Sequence, residues 1–205
     1  GTPDASGIYP VGTTIVIWTV TDVYGNTNTC AQTITITDDE DPQIVCAPAQ
    51  SQIADASQCN ADVEISSPAT SDNCGVGALI NSYNGTADAS DNYPVGTTTI
   101  IWTLSDIHGN TSTCVQAITI SDTQVPMSVC APDQIQSSDV GECNADVEVE
   151  GPLTSDNCGV ATVINSYNNT ADASANYPVG TTMVLWTVTD VHGNTSTCVQ
   201  SITVT

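Results

Sequence analysis

Oxygen-bearing side chains gather at three places early in this 205-residue sequence. They are the acidic run Asp38-Asp39-Glu40-Asp41, the segment Ser71-Asp72-Asn73-Cys74-Gly75 and the segment Asp106-Ile107-His108-Gly109-Asn110. Clustered carboxylates repel one another unless a cation neutralises them. The chain offers no cation of its own: it has 23 Asp and Glu, no Lys or Arg, and a net charge of −23. A hard divalent metal is the chemistry such a set supports, and Ca2+ accepts roughly six to eight oxygens from carboxylates, amides and carbonyls. The predicted ligands are Asp38, Asp39, Asp41, Asp72, Asn73, Asp106 and Asn110, with Asp122, Asp156, Asn157, Asp190 and Asn194 at matching later positions. The competing reading is turn chemistry and solubility, since Asp and Asn beside Gly favour tight turns. The later linker, Asp122-Thr123-Gln124-Val125-Pro126, has a single carboxylate, so two equivalent metal sites would draw mostly on the loops.

The nine cysteines carry the other chemistry. No C-x-x-C occurs, which argues against a zinc ribbon or a thioredoxin-like redox site. Pairs of cysteines in a small β-rich unit imply disulfides and an oxidising compartment. Four cysteines permit three pairings. The expected one joins Cys46 to Cys114 and Cys59 to Cys74, repeated as Cys130 with Cys198 and Cys143 with Cys158. If the first and last strands of such a unit run side by side, Cys46 comes near Cys114. Cys30 is left to find its partner outside the sequence or on another chain. Asn84, Asn110, Asn168 and Asn194 stand in glycosylation acceptor patterns, a short motif in an Asn/Thr-rich chain. His108 and His192 match each other, but Tyr24 replaces them in the earliest copy, so they are expected to be turn side chains rather than catalytic bases.

Charge excludes whole classes of function. Nucleic-acid binding needs cations to displace phosphate counterions, and anionic membranes attract only basic segments. No apolar run is long enough to cross a bilayer. No nucleophile elbow or zinc-protease motif occurs, so an enzyme is not expected.

An internal repeat organises these residues. Trp18, Trp102 and Trp186 recur every 84 residues, as do Tyr9, Tyr93 and Tyr177, and Cys30, Cys114 and Cys198. The predicted divisions are 1–38, the second half of a repeat, then complete repeats at 39–122 and 123–205. A half-repeat cannot bury a full core alone; either preceding residues or another chain completes it. Within each repeat the pattern is all-β. Ala61–Ser66 alternates apolar and polar residues, and Thr98–Ser105 puts Ile100, Trp102 and Leu104 on one face. Cys114, Ile118 and Ile120 share a face of the partner run, and Asp106–Asn110 makes the hairpin loop between them. Strands at short, regular spacing predict a tandem β-sandwich of about seven strands per repeat.

The combination Cys46-Ala47-Pro48, Thr70-Ser71-Asp72-Asn73-Cys74-Gly75, Tyr93-Pro94-Val95-Gly96-Thr97-Thr98, Trp102-Thr103 and Asp106-Ile107-His108-Gly109-Asn110-Thr111 resembles the hyalin repeat, or HYR, domain. The four-cysteine form found in tandem in secreted bacterial surface proteins is the nearest type. The resemblance implies an immunoglobulin-like fold and an extracellular role in adhesion or spacing. The expected function is a disulfide-stapled, acidic stalk or filament subunit at the cell surface. It would assemble head to tail with copies of itself and hold Ca2+ at domain junctions. The alternatives are an adhesin module that binds a glycan or surface protein, and the stalk of a secreted hydrolase.

Overall fold

The computed structural model describes residues 4–205, which are all-β: no helix occurs among them. β1 (Gly12–Thr21) and β2 (Thr27–Ile36) form an antiparallel hairpin, with Trp18 opposite Cys30. The next eight strands are β3 (Gln43–Val45), β4 (Gln50–Ile53), β5 (Asn60–Val63), β6 (Ala69–Ser71), β7 (Val76–Asn81), β8 (Asp91–Pro94), β9 (Gly96–Asp106) and β10 (Thr111–Ser121). The last eight repeat them: β11 (Met127–Val129), β12 (Gln134–Gln136), β13 (Asn144–Val147), β14 (Leu153–Ser155), β15 (Val160–Asn165), β16 (Ala175–Pro178), β17 (Gly180–Asp190) and β18 (Thr195–Val204).

Each complete repeat therefore has eight strands where about seven are predicted. The extra one arises because the first strand is interrupted and serves two sheets. β11 pairs antiparallel with β14, whereas β12 pairs parallel with β18. The break falls at Cys130-Ala131-Pro132, where proline has no N–H for a ladder; the Pro132 carbonyl instead accepts a bond from Gln200 Nε2 at 3.0 Å.

By proximity the chain forms two compact units. One comprises residues up to Pro48 with Ile65–Ala89 and Thr99–Gln116; the other comprises Ala49–Glu64, Ser90–Thr98 and Ala117–Thr205. The second unit contains a complete β-sandwich-like repeat. Its principal sheet has the order β12-β18-β17-β15, faced by the pairs β11-β14 and β13-β16. Period-two alternation sends Val184 and Trp186 of β17 and Ile202 and Val204 of β18 inward, where they pack with Val147, Val149 and Tyr177. In the first unit Ile100, Trp102 and Leu104 are likewise buried.

A buried amide lies beside each of these tryptophans. Trp186 Nε1 donates to Gln200 Oε1 at 3.2 Å, and Trp102 Nε1 donates to Gln116 Oε1 at 3.3 Å. An unpaired indole N–H in the core would carry a desolvation cost, and the glutamine removes it. Gln116 shares the buried face of β10 with Ile118 and Ile120, which brings its amide into the core.

The core also carries a tyrosine device. Tyr177 stacks on Tyr167 with ring centroids 4.2 Å apart, and its hydroxyl donates to the Ala173 carbonyl at 2.7 Å. Burial first, then the neighbouring Tyr167 and Asp172, push the Tyr177 phenol up to about 12. An unfolded tyrosine ionises near about 10, so the folded chain holds this proton more tightly. Stability from this group is complete below about pH 10 and drains away as pH rises towards about 12. Ultraviolet titration should show tyrosine ionising late and together with loss of near-ultraviolet circular dichroism, and Tyr177→Phe should reduce the amplitude of that late step.

Candidate metal centres and disulfide staples

The hairpin loops set up the site. Asp106 Oδ1 accepts the N–H groups of His108, Gly109 and Asn110 at 2.8, 2.6 and 2.9 Å, while its Oδ2 accepts Asn110 Nδ2 at 2.6 Å. Gly109 adopts φ of +100°, a conformation that glycine tolerates without strain. Burial is the largest influence on Asp106 and acts to raise its pKa, yet the Asn110 and backbone donors together hold it below the ordinary carboxylate range. Asp190 repeats the arrangement with His192 and Asn194. Asp22 makes the same loop with Tyr24 and Asn26.

Each loop then fixes the acidic linker. Asn110 Nδ2 donates to the Asp38 carbonyl, and His108 Nδ1 lies 3.0 Å from Asp38 Oδ2. The Asp38 side chain is only 2% exposed. Asn194 and His192 treat Asp122 in the same way, and that side chain is 1% exposed. The histidines are thus linker fasteners rather than free turn side chains. Sequence reading missed this because the contact spans 70 residues.

A third carboxylate completes each group. Asp72 Oδ1 caps the N–H groups of Cys74 and Gly75, and Asp156 Oδ1 those of Cys158 and Gly159. Oxygens of Asp38, Asp72 and Asp106 lie within 4.8 Å of one another, as do those of Asp122, Asp156 and Asp190. Asp72 Oδ2 and Asp156 Oδ2 are buried with no hydrogen-bond partner. A buried anionic oxygen without a donor is costly, and an all-oxygen triad around it fits a hard cation. Asp39, Asp41 and Asn73 are exposed and stand outside these triads. Asn110 and Asn194 contribute amide donors to the neighbouring aspartates. Asn157 donates to the Gln58 carbonyl at 2.7 Å and to Asp122 Oδ1 at 3.3 Å.

Cysteine and histidine approach the same groups: Cys74 and His108 lie beside Asp38, and Cys158 and His192 beside Asp122. Desolvation, followed by the hydrogen bond and charge of Asp38, raises the Cys74 thiol above its usual range. That disfavours the thiolate a soft metal would need. Cys158 is consumed in a disulfide, so the second group has no thiol to offer.

Cys46 is bonded to Cys114, and Cys130 to Cys198, each across 68 residues. Closing a loop of that length contributes about 4 kcal/mol in the chain-entropy model. The expected pairs Cys59 with Cys74 and Cys143 with Cys158 do not form. Cys59 is bonded instead to Cys158, 99 residues away in the following repeat, and Cys30, Cys74 and Cys143 are free. The physical reason lies in docking: Asn157 seats the second repeat's loop on the Gln58 carbonyl, and Gln124 Oε1 accepts the Ser57 N–H at 3.3 Å. Identical loops made the copies indistinguishable by sequence.

The glycosylation candidates divide by geometry. Asn110 and Asn194 commit their amide nitrogens to Asp106 and Asp190. Asn84 and Asn168 lie on exposed turns, with their amides bonded to the Asp88 and Asp172 carbonyls.

A model of the HYR domain matches residues 37–120 and 121–204. The chain belongs to the HYR family. It is 31% identical over 198 residues to Hyalin of Lytechinus variegatus, covering 94% of this chain and 36% of that protein. Hyalin of Strongylocentrotus purpuratus is 28% identical over 193 residues, with coverage of 91% and 16%. The Sushi, von Willebrand factor type A, EGF and pentraxin domain-containing protein 1 of Rattus norvegicus is 31% identical over 169 residues, with coverage of 82% and 4%. This HYR chain spans about a third or less of the length of these relatives. They are animal proteins, so they lend no support to the bacterial source suggested by the four-cysteine pattern. Drosophila N-cadherin EC1-4 aligns with a TM-score of 0.41 at 10% identity over 87% of this chain and 52% of that one, too distant to argue from.

Three disulfides indicate an oxidising environment, as in a secreted or surface protein. The staple between repeats is directly testable. Trypsin has no site here, so non-reducing digestion with an acid-specific protease should release a fragment joining Cys59 to Cys158. A fragment joining Cys59 to Cys74 would contradict the assignment.

Proposed function

We propose that this HYR chain is an extracellular, non-catalytic spacer that stiffens a tandem array, holds Ca2+ in its acidic triads and assembles head to tail. The observation that carries the reading is the Cys59–Cys158 bond, which ties one repeat covalently to the next. A module built for selective recognition would vary its loops between copies. Here Ser71–Gly75 and Ser155–Gly159 are identical, and Asp106–Asn110 differs from Asp190–Asn194 only by Ile for Val. That uniformity supports a spacing role within an adhesive surface protein over capture of a glycan by these loops.

Asp38, Asp72 and Asp106 would hold one Ca2+ ion, and Asp122, Asp156 and Asp190 the other. The metal would supply the positive charge that the sequence lacks, fixing the acidic linkers against the hairpin loops. Extracellular modules bind calcium at roughly 10⁻⁴–10⁻³ M. At about a hundredfold excess over Kd, one such site stabilises by about 2.7 kcal/mol. Calorimetry should therefore find two Ca2+ per chain, and the metal should raise the melting temperature. Asp72→Asn with Asp156→Asn should abolish both effects while leaving the fold intact by circular dichroism. An equal Ca2+ response in that double variant would overturn the calcium assignment.

A further inference from the structure

Asn84-Gly85-Thr86 and Asn168-Asn169-Thr170 stand at matching positions of the two complete repeats, each in the loop that follows an edge strand, β7 or β15. A buried asparagine organises each loop. Asn81 Oδ1 accepts the N–H groups of Tyr83 and Asn84 at 2.8 and 3.0 Å, and Asn81 Nδ2 donates to Asn84 Oδ1 at 2.7 Å. Asn165 treats Tyr167 and Asn168 in the same way. Asn84 Oδ1 also accepts the N–H and the hydroxyl of Thr86 at 3.2 and 2.9 Å, and Asn168 Oδ1 accepts those of Thr170 at 3.1 and 2.8 Å. The oxygen end of each carboxamide is therefore fixed.

The nitrogen ends separate the four asparagines that share this acceptor pattern. A side-chain amide has two N–H donors. Asn84 Nδ2 uses one, on the Asp88 carbonyl at 3.0 Å, and Asn168 Nδ2 uses one, on the Asp172 carbonyl at 2.8 Å. Both residues are exposed, as are Thr86 and Thr170. Asn110 Nδ2 uses both, on Asp106 Oδ2 at 2.6 Å and the Asp38 carbonyl at 3.3 Å. Asn194 Nδ2 does likewise with Asp190 Oδ2 at 2.8 Å and the Asp122 carbonyl at 3.4 Å. An N-linked sugar replaces one amide hydrogen and leaves the other. At Asn84 and Asn168 it displaces no hydrogen bond, whereas at Asn110 and Asn194 it breaks one that fastens the hairpin loop or the acidic linker.

We infer that Asn84 and Asn168 are N-glycosylation sites, one per complete repeat, and that Asn110 and Asn194 stay bare in the folded chain. The donor is a lipid-pyrophosphate-linked oligosaccharide. The amide nitrogen bonds to the anomeric carbon, the bond from that carbon to the pyrophosphate oxygen breaks, the amide gives up one proton, and the lipid pyrophosphate leaves. Nothing is oxidised or reduced. The remaining N–H keeps its bond to the Asp88 or Asp172 carbonyl. A chain sugared at Asn110 or Asn194 before folding cannot complete its clamp, so the folded population lacks sugar there. The inference rests on the extracellular reading above and is independent of calcium.

The test directs the full chain, behind a cleavable leader, through the secretory pathway of cultured animal cells. The secreted product should carry two mass steps that peptide-N-glycosidase removes. Deglycosylation in heavy-oxygen water should mark Asn84 and Asn168 and leave Asn110 and Asn194 unmarked. Asn84→Asp and Asn168→Asp, which keep the accepting Oδ1, should each remove one mass step, and the double variant both, with the Cys59–Cys158 bond intact throughout. Nuclear magnetic resonance should find one slowly exchanging Nδ2–H on each sugared side chain. Sugar at Asn110 or Asn194 in the folded product would overturn the proposal, as would a secreted, disulfide-bonded chain bare at Asn84 and Asn168. Retention of the chain in the cell without its disulfides would overturn the extracellular reading and this inference with it.

Discussion

A chain with many carboxylates and no lysine or arginine must stabilise its buried anions with neutral donors or with an outside cation. That constraint organises the loops. Asp106 and Asp190 are buried, and each collects backbone N–H groups and an asparagine amide. Hydrogen bonds to an ionised acceptor are stronger than neutral ones, so these aspartates organise their hairpins from within. Asp72 and Asp156 satisfy one oxygen in the same way and leave the other buried without a donor. The neutral-donor solution ends at that oxygen, which is also where the carboxylates of separate segments converge.

The core obeys a related economy. With no phenylalanine and only three tryptophans, each complete repeat centres on a buried Trp whose polar atom is met by a buried Gln. The glutamine also reaches back to a proline carbonyl, Pro48 or Pro132, at the break in the first strand. One side chain thereby closes two polar gaps, one in the sheet and one in the indole. The disulfides from Cys46 and Cys130 span the same region and limit the unfolded chain.

Local pattern made much of this legible. Alternation assigned Ile100, Trp102 and Leu104 to the interior, and the Gly/Asn loop between Asp106 and Asn110 marked the hairpin. The period of 84 residues revealed the repeats and the half-repeat. What depended on long-range choice stayed hidden. His108 meeting Asp38 and Cys59 choosing Cys158 over Cys74 join residues that local spacing does not relate. Repetition made the last case harder, since an array offers each cysteine several equivalent partners and only docked geometry selects among them.

The three sulfur bridges overlap in order along the chain: 46 to 114, 59 to 158, and 130 to 198. Every peptide bond between Cys46 and Cys198 therefore lies inside at least one closed covalent ring. A single nick anywhere in that stretch opens a ring but severs nothing, because a second route around the break always survives. Where proteases act and resynthesis in place is impossible, a chain with this redundancy outlasts one whose repeats hang on a single backbone.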